Sequence, residues 1–135
     1  MPAVLELLQA ARLPTQDLAR AKRLQLWVME AEGRLLGVIG LECFGTNALL
    51  RSLAVASQHR RHGVARELVS RLEEEARSTG IERLVLLTET AEAFFCRLGY
   101  EPIGRRDVPG EIKQSAEFHS LCPASAVCLT KLLNA

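Results

Sequence analysis

The 135-residue chain lacks several features that would assign a protein to a particular class. Its longest near-continuous apolar run, residues 35–41, is far shorter than the roughly 20 residues that a membrane-spanning helix needs. The first residues carry Glu6 and no basic start ahead of an apolar stretch, so they do not predict a signal peptide. Charge of one sign is not in excess either, because 17 basic residues face 16 acidic ones. We therefore expect neither a membrane nor a nucleic acid as a partner.

Cysteine is sparse and its spacing fits no metal or disulfide framework. The four cysteines are Cys43, Cys96, Cys122 and Cys128. They include no C-x-x-C pair, which argues against a zinc site and against paired disulfides. His59 and His62 have no cysteine or carboxylate partner at metal-ligand spacing. The sequence thus predicts no metal, reduced thiols and a cytoplasmic location.

The composition is that of one folded domain. Apolar residues make up 48% of the chain and charged residues 24%, which is enough for a core and typical of a globular protein. At roughly 150 residues per domain, residues 1–135 are expected to form a single unit. Of the 17 basic residues, 14 are arginine and 3 are lysine. Arginine binds phosphate or carboxylate through two parallel hydrogen bonds, so the positions of these side chains matter more than their number.

The first half of the chain has the pattern of a strand meander. Residues 1–11 fit a short strand or the start of a helix, and residues 15–22 fit a short helix. Turn-forming residues follow at 31–34 and 45–47. The strands that these turns separate are expected at residues 26–30, 35–44 and 48–57. Short turns between consecutive strands predict antiparallel pairing.

The apolar spacing changes from the strand period to the helix period at residue 64. Residues 64–77 predict a helix with one apolar stripe. Its other positions are Arg66, Glu67, Arg71, Glu73, Glu74 and Glu75. A buried strand at 84–87, a second helix from the cap Thr90 to Leu98, and a last strand within 118–132 follow. Together these elements predict a mixed α/β domain.

The turn before the helix at residue 64 carries the strongest sign of a binding site. Gly63 lets backbone N–H groups converge without interference from a Cβ atom. With the dipole of the following helix, such N–H groups suit a phosphate or pyrophosphate. Arg60 and Arg61 add positive charge at the rim. An exposed basic turn before an ordinary helix is the alternative, because the segment matches neither G-x-x-x-x-G-K-S/T nor G-x-G-x-x-G.

Two sequence blocks resemble the GNAT N-acetyltransferase superfamily. Arg60-x-x-Gly63-x-Ala65, after the strand residues 53–55, is similar to the R/Q-x-x-G-x-G/A signature of that family. Residues 90–102 resemble its later helix and the turn after it. The resemblance implies a single GNAT-like domain, in which helices flank a mostly antiparallel mixed sheet, and it implies acetyl-CoA as the donor.

The same resemblance implies which residues hold the donor. The pyrophosphate would lie on the backbone of residues 61–65, and the pantetheine arm would run beside residues 53–55 as an added strand does. A backbone N–H near Ala54 or Val55 would face the thioester oxygen, which gains negative charge as the amine attacks. The implied donor-binding residues are Leu53, Ala54, Val55, Arg60, Arg61, His62, Gly63, Val64, Ala65, Thr88 and Phe95.

The chain departs from the family pattern at two of these positions. The helix before Gly99 usually carries a tyrosine that protonates the leaving thiolate, and Phe95 occupies that position here. Thr88 stands where asparagine is frequent. The ordinary pKa of a thiol is about 8.5, so its thiolate can leave near neutral pH without that acid. Tyr100, after the helix, is expected to be a packing residue.

Three side chains are candidates for the base that removes the amine proton, directly or through a water: Glu42, Glu89 and His119. Glu42 interrupts an apolar run, and its alternative is a solvent-facing strand position. Glu89 follows the central strand, where site residues of open α/β sheets are frequent, and its alternative is a charge at a helix N-terminus. For His119, packing or exposure is the favoured interpretation. Glu42 and Glu89 are therefore the catalytic candidates.

The segment 105–115 is long for a connection in so small a domain, and such segments often cover or line sites. With residues 117–123 it resembles the tail of acetyltransferases encoded with arsenic-resistance genes, whose relatives acetylate amino acids and amino-acid-like toxins. On that resemblance, Arg51, Arg105 and Arg106 would pair with an acceptor carboxylate or a similar oxyanion.

The sequence therefore predicts an acetyl-CoA-dependent N-acetyltransferase that acts on a small amine by direct attack on the thioester. An amino acid or an analogue is the expected acceptor. Two alternatives stay open: acetylation of a protein N-terminus or lysine, and a coenzyme A-binding sensor that has lost catalysis, suggested by Phe95. A homodimer is compatible with the sequence, which does not fix the oligomeric state.

Overall fold

The structure is a computed structural model, and it describes residues 2–10, 24–56, 63–113 and 126–133. The helices in these ranges are α1 (Pro2–Ala10), α2 (Val64–Ser78), α3 (Glu92–Arg97) and α4 (Gly110–Lys113). The strands are β1 (Leu24–Ala31), β2 (Arg34–Phe44), β3 (Asn47–Val55), β4 (Arg83–Thr88), β5 (Glu101–Pro102) and β6 (Val127–Leu132). The helix expected at residues 15–22 lies outside the described residues. Among the described helices, none has both the length and the apolar character to cross a membrane.

The six strands form one mixed sheet. β1, β2 and β3 make the expected antiparallel meander. The turn between β1 and β2 has φ angles of 53° at Glu32 and 75° at Gly33, and two left-handed residues in succession fit the twist of a tight hairpin. β3 then pairs with β4 in parallel, whereas β6 pairs antiparallel with both β4 and β5. The strand order β1-β2-β3-β4-β6-β5 confirms the predicted mixed, mostly antiparallel sheet.

Helix α2 covers one face of the sheet because its apolar residues recur on one stripe. Its buried residues are Val64, Leu68, Val69, Leu72, Glu73 and Ala76. The expectation that Glu73 lies on the polar side of this helix is wrong. Glu73 is four residues after Val69 and three before Ala76, and that spacing places it on the buried stripe.

Two apolar clusters cover the opposite face of the sheet. Consecutive strand residues point to opposite faces, and Val38 and Ile39 accordingly belong to different clusters. The α1 cluster consists of Val4, Leu8, Val38 and Ala54. The second cluster lies under residues 103–113, which we call the strap, and consists of Phe44, Leu49, Val85, Val108, Ile112 and Cys128. The sequence leaves strand and helix open for residues 1–11, and the structure has a helix at Pro2–Ala10 on this face.

The strap is more regular than the long connection that the sequence predicts. It contains a 3-10 turn (Arg105–Asp107) and the short helix α4. Val108 and Ile112 are buried in the second cluster, and this burial ties the strap to the sheet. Residues 114–115 of the expected connection lie outside the described residues.

Three element boundaries differ from expectation. β3 ends at Val55 rather than at residue 57, which lies outside the described residues. Helix α3 has Ala91 as its N-cap rather than Thr90. The hydroxyl of Thr88 accepts a hydrogen bond from the Ala91 N–H at 2.9 Å. The side chain that hydrogen-bonds at the start of α3 therefore lies two residues before the expected Thr90. The last strand begins at Val127, and residues 118–125 are not described.

Candidate functional site

The two parallel strands at the centre of the sheet separate after three paired positions. β3 and β4 pair at residues 47–49 and 83–85. Beyond these positions β3 stays paired with β2 as far as Val55, and β4 stays paired with β6 as far as Thr88. In the described residues, a cleft therefore opens between 50–55 and 86–88, at the carboxyl ends of both strands. Ligands of open α/β sheets bind at such ends.

A β-bulge lies in the part of β3 that borders this cleft. The register between β2 and β3 shifts by one residue between the pairs Gly40–Arg51 and Val38–Ala54. The extra residue lies at Ser52, whose φ is 62°. A bulge leaves its extra residue outside the ladder and re-aims the neighbouring groups. The bulge therefore changes the direction of the backbone at the mouth of the cleft.

The strand residues proposed to hold the donor differ in the direction of their backbone groups. The Ala56 N–H donates to the Leu36 oxygen of β2 at 2.8 Å. Because backbone groups alternate along a strand, the N–H of Ala54 also faces β2, whereas that of Val55 faces the cleft. Ala54 and Val55 are buried and Leu53 is half-buried. Of the two N–H groups expected near a thioester oxygen, this alternation favours Val55.

The start of α2 requires glycine because of its backbone conformation. Gly63 has φ of 75°, and a Cβ atom built on it would meet nothing within 4 Å. The Gly63 oxygen accepts the first helical hydrogen bond, from the Glu67 N–H at 3.1 Å. No described side chain caps this helix, so the N–H groups of Val64 and Ala65 are available to an anion.

Several residues singled out in the sequence lie outside the described residues: Arg60, Arg61 and His62 of the turn, and His119 and Cys122 of the last connection. Their roles stay predictions.

A buried ion pair lies on the face of the sheet that carries α1 and the strap. Glu42 and Arg51 share this face because Gly40 stands opposite Arg51 and Glu42 stands opposite Leu49 in the β2–β3 register. Arg51 Nη1 donates to Glu42 Oε1 at 3.3 Å, and the two side chains are 0% and 11% exposed. The solvent-facing alternative for Glu42 is therefore wrong. Arg51 is buried at the same place, with its guanidinium on Glu42.

Thr88 and Glu89, at the end of β4, differ in burial. Thr88 accepts the Ala91 N–H, as described above, and is half-buried. Glu89 lies in the bend that follows and is exposed. Both residues stand at the cleft end of the strand, so the structure brings them to the same edge of the sheet as Val55.

Phe95 lies inside the core rather than on an open wall. It is 3% exposed and makes edge-to-face contacts with Phe94 and Tyr100, at ring-centroid distances of 5.0 and 5.3 Å. A phenyl ring cannot donate a proton, so this helix supplies no acid at that position.

The two strap arginines differ in exposure and in contacts. Arg105 is half-buried, and its Nη2 donates to the Ala126 oxygen at 3.0 Å. Burial raises the pKa of the Cys128 thiol, and the nearby charge of Arg105 opposes that rise. Arg106 is exposed, and its backbone oxygen accepts from Lys113 Nζ at 2.8 Å. The Arg105 guanidinium therefore lies near Cys128, a residue of the second cluster.

Sequence reasoning missed a polar cluster around Glu73. Its carboxylate accepts from Tyr100 Oη at 2.8 Å and from Lys131 Nζ at 3.1 Å on both oxygens. Lys131 Nζ also donates to the Leu98 oxygen at 2.8 Å. Burial, and then the charge of Glu73, raise the pKa of Tyr100 well above its usual range. The spacing from Val69 could have identified this residue, because a charged side chain on a buried stripe needs partners. The cluster joins α2 to β6 and to the end of α3.

In the ranges that the structure describes, no three histidine, cysteine or acidic side chains lie together as a metal site requires. The described cysteines, Cys43, Cys96 and Cys128, carry free thiols.

The chain is similar to known proteins in sequence. The sequence profile of the acetyltransferase (GNAT) domain family matches residues 22–102. The amino-acid acetyltransferase of Aeromonas salmonicida (strain A449) is 29% identical over 86 residues, which are 62% of this chain and 20% of that relative. The chain thus spans about a fifth of the length of this relative.

The chain is also similar to solved structures. N-acetylglutamate synthase from Neisseria gonorrhoeae, in complex with coenzyme A and N-acetyl-glutamate, matches 100% of this chain and 33% of its own length, with a TM-score of 0.84 and 19% identity. A Mycobacterium tuberculosis protein in complex with coenzyme A matches 97% of this chain and 92% of its own, with a TM-score of 0.80 and 24% identity. At these identities the likeness establishes the fold.

Proposed function

Because the chain belongs to the acetyltransferase (GNAT) domain family, we propose that it transfers the acetyl group of acetyl-CoA to the amine of a small acceptor. The observation that carries this proposal is the cleft between residues 50–55 and 86–88, with the left-handed Gly63 at the start of the adjoining helix α2. The cleft borders the part of β3 beyond its last pair with β4, and the helix start offers N–H groups for an anion. A pantetheine arm that ends in a pyrophosphate needs both.

The donor would use the backbone more than side chains. Its pantetheine amides would run along the cleft side of β3, as an added strand runs along a sheet. Its pyrophosphate would accept from the N–H groups at the start of α2, where the helix dipole favours negative charge. Arg60, Arg61 and His62 would add charge and contacts at the rim, as the sequence predicts. Phe95 would support the thioester end from the core.

The reaction would proceed by direct attack. The amine nitrogen forms a bond to the thioester carbon, and the carbonyl electron pair moves onto the oxygen, where a preorganised hydrogen-bond donor stabilises it. The amine proton passes to the Glu42 carboxylate, directly or through a water. The carbon–sulfur bond then breaks, and the thiolate leaves with its electron pair. Because Phe95 has no proton to give, the departure depends on the stability of the thiolate itself.

Glu42 is the better supported of the two base candidates. It is buried and held by one guanidinium, so its position is fixed and little water competes for it. Glu89, exposed in the bend after β4, is the second candidate. The contact with Glu42 changes the proposed role of Arg51, from binding an acceptor carboxylate to orienting the base.

An α-amino acid is the proposed acceptor class. The Aeromonas relative is an amino-acid acetyltransferase, and the Neisseria protein of the same fold is solved with N-acetyl-glutamate. Arg105 would pair with the acceptor carboxylate, and Arg106 would add charge from the exposed side of the strap. The narrower resemblance to arsenic-resistance-associated acetyltransferases adds amino-acid-like toxins to this class. A cytoplasmic location follows from the same proposal, since acetyl-CoA is an intracellular donor.

The test is an acetyl-transfer assay with a matched set of amines. Acetyl-CoA is supplied with each common amino acid, with the corresponding decarboxylated amines and with short peptides, and released thiol and acetylated product are measured by dithionitrobenzoate and mass spectrometry. The exposed thiol of Cys96 adds a background, which a reaction without acceptor removes. We expect an amino acid to be acetylated at least ten-fold faster than its decarboxylated amine, because a charged hydrogen bond is worth about 1.5–3 kcal/mol.

The same assay separates the alternatives. Coenzyme A binding with no transfer to any amine would favour the sensor, and preferred transfer to peptides would favour a protein acceptor. Arg105→Gln should reduce kcat/KM on the best amino acid by about ten-fold and on its decarboxylated amine far less. Lys113→Gln, a cation of the same strap that binds the Arg106 oxygen, is the matched control and should leave the preference intact.

A further inference from the structure

Ser52 combines two unfavourable features in one buried residue. Its φ of 62° lies in the left-handed region, which L-residues other than glycine, asparagine and aspartate rarely adopt. Among the described non-glycine residues, only Glu32 shares a positive φ, and Glu32 lies in an exposed hairpin turn. Ser52 is 3% exposed, in the middle of a strand. The conformation at Ser52 is therefore strained and is not relieved by solvent.

The hydroxyl of Ser52 has no hydrogen-bond partner among the described residues, although its oxygen is buried. Buried polar atoms are nearly always paired, because an unpaired one loses its contact with water and gains nothing in exchange. Serine hydroxyls rotate freely and usually find an acceptor in a strand or a turn. An unpaired donor at this depth indicates a group whose partner arrives with a ligand.

Ser52 borders the cleft that is proposed to hold the donor. The residue is at the bulge, three positions beyond the last paired residue of β3 and β4, and three before Val55, whose N–H faces the cleft. Left-handed bulge residues are normally glycine. The φ angle at position 52 would favour glycine, so the serine hydroxyl is present at a conformational cost. Strain of this kind persists at sites where it serves the reaction.

We propose that the Ser52 hydroxyl donates a hydrogen bond to the thioester carbonyl oxygen of acetyl-CoA and stabilises the negative charge that develops there. This inference rests on the proposed function. As the amine attacks, the carbon–nitrogen bond forms and the oxygen takes up the carbonyl electron pair, and the Ser52 proton stays on its own oxygen throughout. The hydroxyl supplies a preorganised dipole in a buried site, which is where such a donor contributes most to rate.

The test compares Ser52→Gly and Ser52→Ala with the wild type. Glycine removes both the strain and the unpaired hydroxyl, so Ser52→Gly should melt a few degrees higher, about 2–5 °C, and should lose about ten-fold or more of kcat. Alanine removes the hydroxyl and keeps the strained φ, so Ser52→Ala should lose kcat to the same extent without the same gain in Tm. Ser70→Ala, which removes an exposed serine hydroxyl of α2, is the control and should change neither quantity.

Binding of free coenzyme A distinguishes the thioester contact from a contact with the pantetheine arm. Free coenzyme A has no thioester carbonyl, so its Kd should be the same for Ser52→Gly and for the wild type. A Kd that rises together with the loss of kcat would overturn the proposal, because the hydroxyl would then bind the arm. So would a Ser52→Gly variant that keeps the wild-type kcat. A wild type that binds coenzyme A but acetylates no amine would overturn the proposed function together with this inference.

Discussion

Two buried carboxylates, Glu73 and Glu42, lie in this small domain and have opposite surroundings. Glu73 accepts hydrogen bonds from Tyr100 and Lys131, and Arg77 Nη2 lies 3.9 Å from its Oε1. Among the described residues, Glu42 accepts one hydrogen bond, from Arg51. Glu73 thus has most of its acceptor sites filled, whereas Glu42 keeps acceptor sites for a further donor.

From this difference we expect a structural role for Glu73 and a chemical role for Glu42. A fully paired polar cluster rigidifies the elements that it joins, and the Glu73 cluster joins α2 to β6 and to the end of α3. A buried carboxylate with unfilled acceptor sites has lost its hydrogen bonds to water and has replaced only some of them with protein hydrogen bonds. Such groups occur at functional sites. Glu42 lies between the α1 cluster and the second cluster, on the face of the sheet that α1 and the strap cover.

The largest expected effect on stability is at Glu73. Replacing it with alanine leaves Lys131 and Tyr100 without their shared acceptor, in a site that is mostly buried. We expect Glu73→Ala to lose about 2–3 kcal/mol of unfolding free energy, or roughly 6–12 °C in Tm. Glu74→Ala, at the exposed neighbouring position of α2, should change Tm by less than about 2 °C. Equal melting of the two variants by calorimetry would show that the cluster has no structural role.

The second largest expected effect is on coenzyme A binding at the start of α2. Gly63→Val forces a β-branched residue into a left-handed φ and should weaken coenzyme A binding about ten-fold, or about 1.4 kcal/mol. Gly63→Asn is the matched control, because asparagine tolerates this conformation and a Cβ meets nothing within 4 Å. Its Kd should stay within about three-fold of the wild type. Isothermal titration with coenzyme A measures both, and an equal loss in the two variants would mean that side-chain size, not φ, decides binding.

The smallest expected effect is on the reactivity of the Cys43 thiol, which depends on the charge of Glu42. Burial, and then the charge of Glu42, raise the pKa of the Cys43 thiol. Glu42→Gln removes that charge, so the pKa of Cys43 should fall and its reaction with dithionitrobenzoate near pH 8 should become about two-fold faster. The exposed Cys96 is the internal control, and its rate should not change. Peptide mass spectrometry after timed labelling resolves the two thiols. An unchanged Cys43 rate would show that Glu42 does not raise the pKa of the Cys43 thiol.

Most of the sheet could be predicted from the sequence because its signals are local. Alternation and turn residues located β1, β2 and β3, and the apolar stripe located α2 within one residue. The separation of β3 from β4 could not be predicted, since it depends on how β2 and β6 hold the two strands on their outer sides. The bulge at Ser52 depends equally on the partner strand, because serine itself favours no left-handed conformation.

The candidate site was predictable in its backbone part and less so in its side chains. Gly63 indicated a turn at the change from strand to helix spacing, and the structure gives it a left-handed φ of 75°. Its role in binding stays a prediction. The pairing of Glu42 with Arg51 could not be read from two residues nine positions apart without the β2–β3 register. The same register changes Arg51 from an expected acceptor-binding residue into a buried partner of Glu42.

The comparison of the two carboxylates is tested most directly by measuring kcat for Glu42→Gln and Glu73→Gln side by side, with the best acceptor, at a temperature well below both Tm values. Both variants keep the side-chain shape, and both lose one charge. We predict that Glu42→Gln loses about a hundred-fold or more of kcat while folded, as removal of a general base does, and that Glu73→Gln stays within about three-fold of the wild type. A Glu42→Gln variant as active as Glu73→Gln would contradict the assignment of Glu42 to the reaction.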